Sequence, residues 1–379
     1  MLARRVGLGF AAWAVASTSV WVFVARPEHC PPIDAPAAEA AAARAVGWFA
    51  ANQHPDGSWV YRYDRANETD LGGYNITRHA GVMLSLYQAG DIDGGDRGLR
   101  FAAANLTRRE DWAALGTGTL ETGATALLVA ALGERRLQTG DPAYDELLAE
   151  LGRFLLTQTE PDGTVLSEWS SAQDAPVAGR TSSFSTGETW LAFGRLERIF
   201  PSNGWREPAE LVGRYVMERR DDAEDIYPPT SDHWGAYALD EMQHWSELPS
   251  ESLTQLTDAY AERLAGIFGV QVRFESQRTE QSVNVLLRGH QALPAGLGTL
   301  GEGLGALWRY EDARGDVGAR DAIVERASCA AGMLDTRQVV SDDARIDGAW
   351  FHSDVTQMDD QQHPLSTLIA IQPIVGPDG

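Results

Sequence analysis

The sequence predicts an all-α fold, an (α/α)6 toroid preceded by an N-terminal transmembrane helix, and three observations carry that prediction. Helical periodicity dominates the chain, and almost nothing alternates with period two over the length of a strand. The helical stretches fall into six successive pairs: 39–52 with 74–88, 96–109 with 119–138, 143–158 with 185–198, 206–219 with 232–247, 253–269 with 299–312, and 317–335 with 359–371. The members of a pair also differ. First members carry surface charge, as in PAYDELLAELGRFLLTQ, and second members are small and apolar, as in ETGATALLVAAL and GEGLGALW. A helix packed on most of its sides needs the second composition. An open helical solenoid would show the same contrast at any repeat count, so the number six carries the inference to a closed ring.

The chain opens on its most apolar stretch. Residues 6–25 are twenty consecutive uncharged positions after Arg4 and Arg5, which at 1.5 Å per residue span about 30 Å, the thickness of a bilayer core. The positive flank places the leader 1–5 in the cytoplasm and the rest outside it. A cleaved signal peptide is the rival, but the run exits through Val24, Ala25, Arg26 and Pro27 without a clean small-x-small site. The reading is therefore a single-pass signal anchor at 6–25, a Pro/Ala-rich stem at 26–38 and one catalytic or binding domain at 39–379. For the two cysteines, Cys30 and Cys329, a disulfide tying stem to late helix and a pair of unpaired thiols stand as equal alternatives.

Composition bounds the function. Of 379 residues, 44% are hydrophobic, enough for a large core. The 31 basic residues against 54 acidic ones leave a net charge of −23. Such a surface repels a phosphate backbone, so no nucleic-acid partner is expected unless a local basic patch supplies one.

Two outer helices end alike. Gln53 precedes Pro55-Asp56-Gly57-Ser58-Trp59, and Gln158 precedes Pro161-Asp162-Gly163-Thr164. Pro, Asp and Gly stop the helix and turn the chain, and the glutamine is placed to tie helix end to turn. The Gln…Gly-x-Trp form resembles the QW-type repeat of the squalene-cyclase and prenyltransferase toroids. Inner-helix starts such as Phe184-Ser185-Thr186-Gly187-Glu188 and Ser231-Asp232-His233-Trp234 are similar to those of six-hairpin carbohydrate-active enzymes, among them glycoside hydrolases and uronyl C5-epimerases. The resemblance implies the toroid from about residue 39 onward. It also excludes. The acidic motif of the terpene cyclases is incomplete at Gln357-Met358-Asp359-Asp360, and Cys329 lacks the neighbouring histidine of a zinc-cysteine enzyme.

In such a toroid all inner helices start at one mouth, and each carries polar residues there. These are Tyr74, Arg78 and His79 in the first, Glu121 in the second and Glu188 in the third; Asp232, His233, Trp234, Tyr237 and Asp240 in the fourth; Glu302 in the fifth; and Asp359, Asp360 and His363 in the sixth. Any one acid can be a helix cap. Jointly they provide the two carboxyl groups across a cavity that general acid and base chemistry requires. Glu188 and Asp232 are the expected central acids, with Asp359 or Asp360 as helper. Tyr74, Arg78, His79, Glu121, His233, Trp234, Tyr237, Asp240, Glu302 and His363 are expected to place the substrate, Trp234 as a platform for a sugar face. Arg78 either pairs with a rim carboxylate or grips an anionic substrate group. His290, in the long 271–296 connection, is a further base on a loop across the mouth. Asp359 and His363 share a helix face, but no local metal motif accompanies them, so no metal or cofactor is expected.

The leading expectation is a membrane-tethered, extracytoplasmic glycoside hydrolase acting on a cell-envelope or exported glycan. Uronate lyase or C5-epimerase chemistry comes next. A binding subunit that holds glycan, lipid or protein, with the anchor pairing with a membrane protein, is the non-enzymatic alternative.

Overall fold

The computed structural model describes residues 2–23, 27–226 and 232–376. Met1 of the leader, Val24 and Ala25 of the expected anchor, Arg26 of the stem, the cap Ser231 and the last three residues lie outside the described residues.

Helix α1 spans Leu2–Phe23. Its described large apolar side chains are exposed, Phe10 and Trp13 each to 75%. Among the described residues no helix is long and apolar enough to cross a membrane; the expected span 6–25 runs beyond them.

The toroid follows in the expected order. Outer α2 (Ala35–Ala51) precedes inner α3 (Ile76–Gln88), α4 (Ile92–Ala104) precedes α5 (Thr122–Thr139), and α6 (Asp145–Thr157) precedes α7 (Ser183–Ile199). Then α8 (Arg206–Glu218) and a one-turn α9 (Arg220–Ala223) lead to inner α10 (His233–Met242). A long α11 (Glu251–Ser276) and a short α12 (Ser282–Arg288) lead to inner α13 (Pro294–Arg314), and α14 (Val317–Arg337) leads to α15 (Met358–Ile371). Inner helices contact in the cycle α3, α5, α7, α10, α13, α15 and back to α3, so the ring is closed.

Local chemistry explains the helix limits. Asp34, Asn75, Asp91, Asp232 and Asp316 each accept a hydrogen bond from a backbone N–H in the first turn of the helix they precede, satisfying a donor the helix leaves open. Helix α2 starts four residues before the expected 39, because Asp34 caps it and Pro36 suits the first turn. The turn glutamines act as expected: Gln53 Nε2 donates to the carbonyl of Gly57, and Gln158 Nε2 to that of Leu166. The closest inner contact, α13 on α15, uses a glycine stripe. A Cβ at Gly298 would lie 2.5 Å from the His363 carbonyl carbon, and one at Gly305 would lie 2.6 Å from Ala370 Cβ.

The mouth carries short strands that show no period-two pattern in the sequence, because each has only two or three residues. They are β1 (Arg62–Asp64), β2 (Thr69–Asp70), β3 (Leu106–Arg108), β4 (Ala113–Leu115), β5 (Thr119–Glu121), β6 (Glu168–Ser170), β7 (Ala175–Pro176) and β8 (Val355–Gln357). Strand β1 pairs antiparallel with β8, Tyr63 opposite Thr356, and so stitches the first hairpin to the last. The stem is pinned too: Cys30 and Cys329 form a disulfide, and the His29 N–H donates to the Ser276 carbonyl at 2.9 Å.

Candidate active site

At the mouth, where the inner helices begin, a cavity of about 600 Å³ opens. All six inner hairpins line it, through Arg78, Glu121, Glu188, His233, Trp234, Thr299, Asp359 and His363 among others. A larger groove of about 1200 Å³ runs along the outer wall between α11 and α14, but none of the expected site residues reaches it.

The floor is a set of three buried groups from three helices. Glu302 Oε1 lies 2.6 Å from His363 Nδ1 and 3.4 Å from His233 Nε2. The Tyr237 hydroxyl donates to Glu302 Oε2 at 3.3 Å. The two imidazoles meet edge to face with centroids 5.3 Å apart, and Trp234 packs on His233 at 4.3 Å. Burial alone lowers the His363 pKa, but the Glu302 carboxylate outweighs it and the net shift is upward. Because His363 is anchored through Nδ1, Nε2 is the nitrogen it offers the cavity. One donor atom from each of His233, Glu302 and His363 falls within 4.8 Å of the others, so this is also the set, among the described residues, with the chemistry to hold a transition metal.

Glu188 lies on the wall above. It is 5% exposed, and burial, reinforced by the charges of Asp232 and Glu121, pushes its pKa up to about 8. At neutral pH it is a carboxylic acid facing the cavity. Its position depends on Gly123 of α5, where a Cβ would sit 2.1 Å from Glu188 Oε2.

Arg78 takes the first of its two expected roles. Its Nε meets Asp359 Oδ2 at 2.6 Å, and its Nη1 donates to the Tyr61 hydroxyl and to Gln357. The Asp359 pKa is nonetheless raised, because burial outweighs His363 and Arg78. Glu121 stands at the exposed rim and accepts from Thr77 Oγ1 at 2.6 Å.

Several expected site residues lie elsewhere. Asp232 does not line the cavity: it caps α10 through the Gly235 N–H and takes Arg220 at 2.5 Å and the Tyr260 hydroxyl at 3.1 Å. Asp360 turns behind the wall and accepts the Ala295 N–H of α13, with a pKa lifted to about 6 mainly by burial. His79 points outward into the layer between inner and outer helices. It bonds Tyr74 through Nδ1 and the Gly98 carbonyl through Nε2, and burial lowers its pKa to about 4. Tyr74 is spent on that contact and on the Trp59 N–H. Asp240 lies at the far end of the barrel, paired with Arg309 at 2.7 Å, and Tyr237 also reaches that end. His290 is an exposed loop residue bonded to Glu280, away from the cavity.

Lining residues not picked out from the sequence are Thr77, Ser182, Ser185, Glu168, Thr299 and Gln362. Phe184, 58% exposed at the rim, stands in the first turn of α7, just after the cap Ser182, and carried a sequence signal as a large aromatic at an inner-helix start. Arg220 carried none, since its partner Asp232 is twelve residues away across a loop.

No family model matches the chain, and no curated relative matches it. Solved structures do. Cellobiose 2-epimerase from Spirochaeta thermophila DSM 6192 is similar at 12% identity and TM-score 0.62, over 88% of this chain and 94% of that one. The glycoside hydrolase family 76 mannosidase Bt3792 from Bacteroides thetaiotaomicron VPI-5482 is similar at 10% identity and TM-score 0.56, over 89% and 98%. The GH76A α-1,6-mannanase from Salegentibacter sp. HEL1_6 is similar at 12% identity and TM-score 0.57, over 90% and 99%. The chain shares with these proteins the closed α/α toroid. At these identities the likeness extends to the fold, and the chemistry of this toroid must be argued from its own cavity.

Proposed function

We propose that the chain is a carbohydrate-active enzyme that moves protons on a reducing sugar, epimerising or isomerising it at a carbon next to the carbonyl. The observation that carries the reading is the buried set of His233, Glu302 and His363 at the cavity floor. One imidazole takes the proton from carbon and the other returns one, which is the division of labour a two-sided proton transfer requires. His363, whose pKa is raised, serves as the acid, and His233 serves as the base. Glu302 holds both rings in register and balances the charge that moves between them. Glu188, uncharged at neutral pH, donates a hydrogen bond to the carbonyl oxygen as negative charge builds there. Trp234 gives the sugar an apolar face to rest on. The similar folds of a cellobiose 2-epimerase and of mannan-cleaving hydrolases support a sugar as substrate.

Glycoside hydrolysis is the second reading, and Glu188 favours it. A protonated carboxyl at a cavity wall can protonate a leaving oxygen, with the Asp359 carboxylate activating water. The uronate variant loses its cation, because Arg78 already faces Asp359 and two further acceptors.

The proposal includes a tether. Residues 6–25 anchor the chain in a membrane with the toroid outside the cytoplasm. Exposed apolar side chains along α1 support this, and so does the Cys30–Cys329 disulfide, which belongs to an oxidising compartment.

Incubating the full chain with reducing disaccharides and with α-1,6-linked mannan oligosaccharides tests the assignment. Epimerisation yields a new isomer without a gain in reducing ends and is abolished by His363→Asn. Hydrolysis yields new reducing ends and is abolished by Glu188→Gln. Binding without turnover, unchanged in both variants, makes the toroid a carrier and overturns the enzyme reading.

A further inference from the structure

We infer that α12, the short helix at the mouth, is a membrane-docking element that seats the rim of the toroid on the same bilayer that holds α1. The inference rests on the tether proposed above and adds a second contact to it. Outer helices end and inner helices begin at the mouth, so the chain between α11 and α13, which contains α12, belongs to that rim. Here Val283 is 71% exposed, Leu286 84%, and Leu287 and Leu293 43% each. Leu293 is two residues before Ala295, which lines the cavity. Among the described residues Val283 and Leu286 are left mostly uncovered and Leu287 and Leu293 partly so, and water is a poor solvent for the four together.

The stem says what covers them. His29 bonds the Ser276 carbonyl at the end of α11, directly before the α12 segment, and Gln291, just after α12, lines one small cavity together with His29. Glu28 is gripped by Arg273 at 3.1 Å and by Arg326, and the disulfide locks the next residues. From Glu28 back to Phe23, the end of α1, is five residues, at most about 17 Å of extended chain. A membrane helix on so short a lead cannot hold the stem far from its bilayer, and the residues that flank α12 on both sides, Ser276 and Arg278 before it and Gln291 after it, lie against the stem. Leucine and valine at the headgroup boundary then bury what the protein leaves open. With a net charge of −23, the surface suits a zwitterionic bilayer better than an anionic one. The cavity thereby opens beside the membrane surface.

Three single-thiol variants of the full chain test this, because both native cysteines are in the disulfide: Leu286→Cys on α12, Ser17→Cys within α1, and Leu248→Cys, a 64% exposed leucine at the opposite end of the toroid. Each carries an environment-sensitive fluorophore and is reconstituted in phosphatidylcholine vesicles containing a lipid-borne quencher. The expected result is quenching at positions 17 and 286 and none at 248. Quenching at 17 with none at 286 overturns the docking while keeping the tether. Quenching at neither overturns both, quenching at 286 alone removes the tether and with it the shared bilayer on which the docking rests, and quenching at 248 in place of 286 overturns the docking by reversing the orientation.

Discussion

Glu188 sets the pH behaviour expected of the site. Its folded pKa of about 8 lies above its ordinary 4.5, so the native state holds a proton that the unfolded chain releases. Its contribution to stability is complete below 4.5 and is lost as pH rises through 8, at up to about 1.4 kcal/mol per pH unit. Glu188→Gln removes that slope, and thermal melts of the variant should decline less between pH 5 and 8 than those of the parent. His79 works in the other direction. Its folded pKa of about 4 lies below 6.5, so its contribution is present above 6.5 and lost as pH falls through 4. A His79→Gln chain should keep its midpoint further into acid. The same residues show how much of the site was legible. Polar residues at inner-helix starts were visible, and Glu188, His233, His363, Arg78 and Asp359 do meet in one cavity. What the sequence does not reveal is helix phase. Adjacent residues point about 100° apart, so His233 faces the cavity while Asp232 caps the helix, and Asp359 faces it while Asp360 holds α13.

Between elements, the ring depends on close helix approach and on its seam. Gly298→Ala drives a Cβ into the backbone of α15 at His363 and should cost about 2 kcal/mol or more. Gly266→Ala, on α11 with nothing within 4 Å of the new atom, should stabilise by about 0.5–1 kcal/mol. Denaturant melts of the pair check both signs, and equal effects would contradict the packing argument. The seam between first and last hairpins is held by β1 with β8 and by Arg78 with Asp359. Arg78→Ala leaves Asp359 facing the cavity without its cation, so its pKa should climb further, and the acid limb of a hydrolytic pH-rate profile, in which Asp359 activates water, should move upward. The six helix pairs were legible because an outer and an inner helix bury different fractions of their surface. The rim strands and α12 were not, being too short to show a period.

The chain as one body is closed at both ends of its length. Cys30 and Cys329 are 299 residues apart in a chain of 379, so their link closes a loop over most of the unfolded chain. Replacing both with serine should lower stability by about 2–5 kcal/mol, and reductant should produce the same loss in the parent and none in the variant. Sequence left this pairing open because two cysteines alone do not specify a bond; the contacts of Glu28 with Arg273 of α11 and Arg326 of α14, which hold the stem there, are a product of the fold. Architecture was therefore readable from periodicity and count, while the reaction waits on which side chains share a cavity.

The central claim is that His233 and His363, held in register by Glu302, exchange a proton with a sugar carbon. The most direct measurement is proton NMR of a converted reducing sugar, run in deuterium oxide with the parent chain and with His363→Asn. The account predicts deuterium at the carbon next to the carbonyl with the parent and none with the variant. Product formed without deuterium, or deuterium appearing undiminished in the variant, would contradict it.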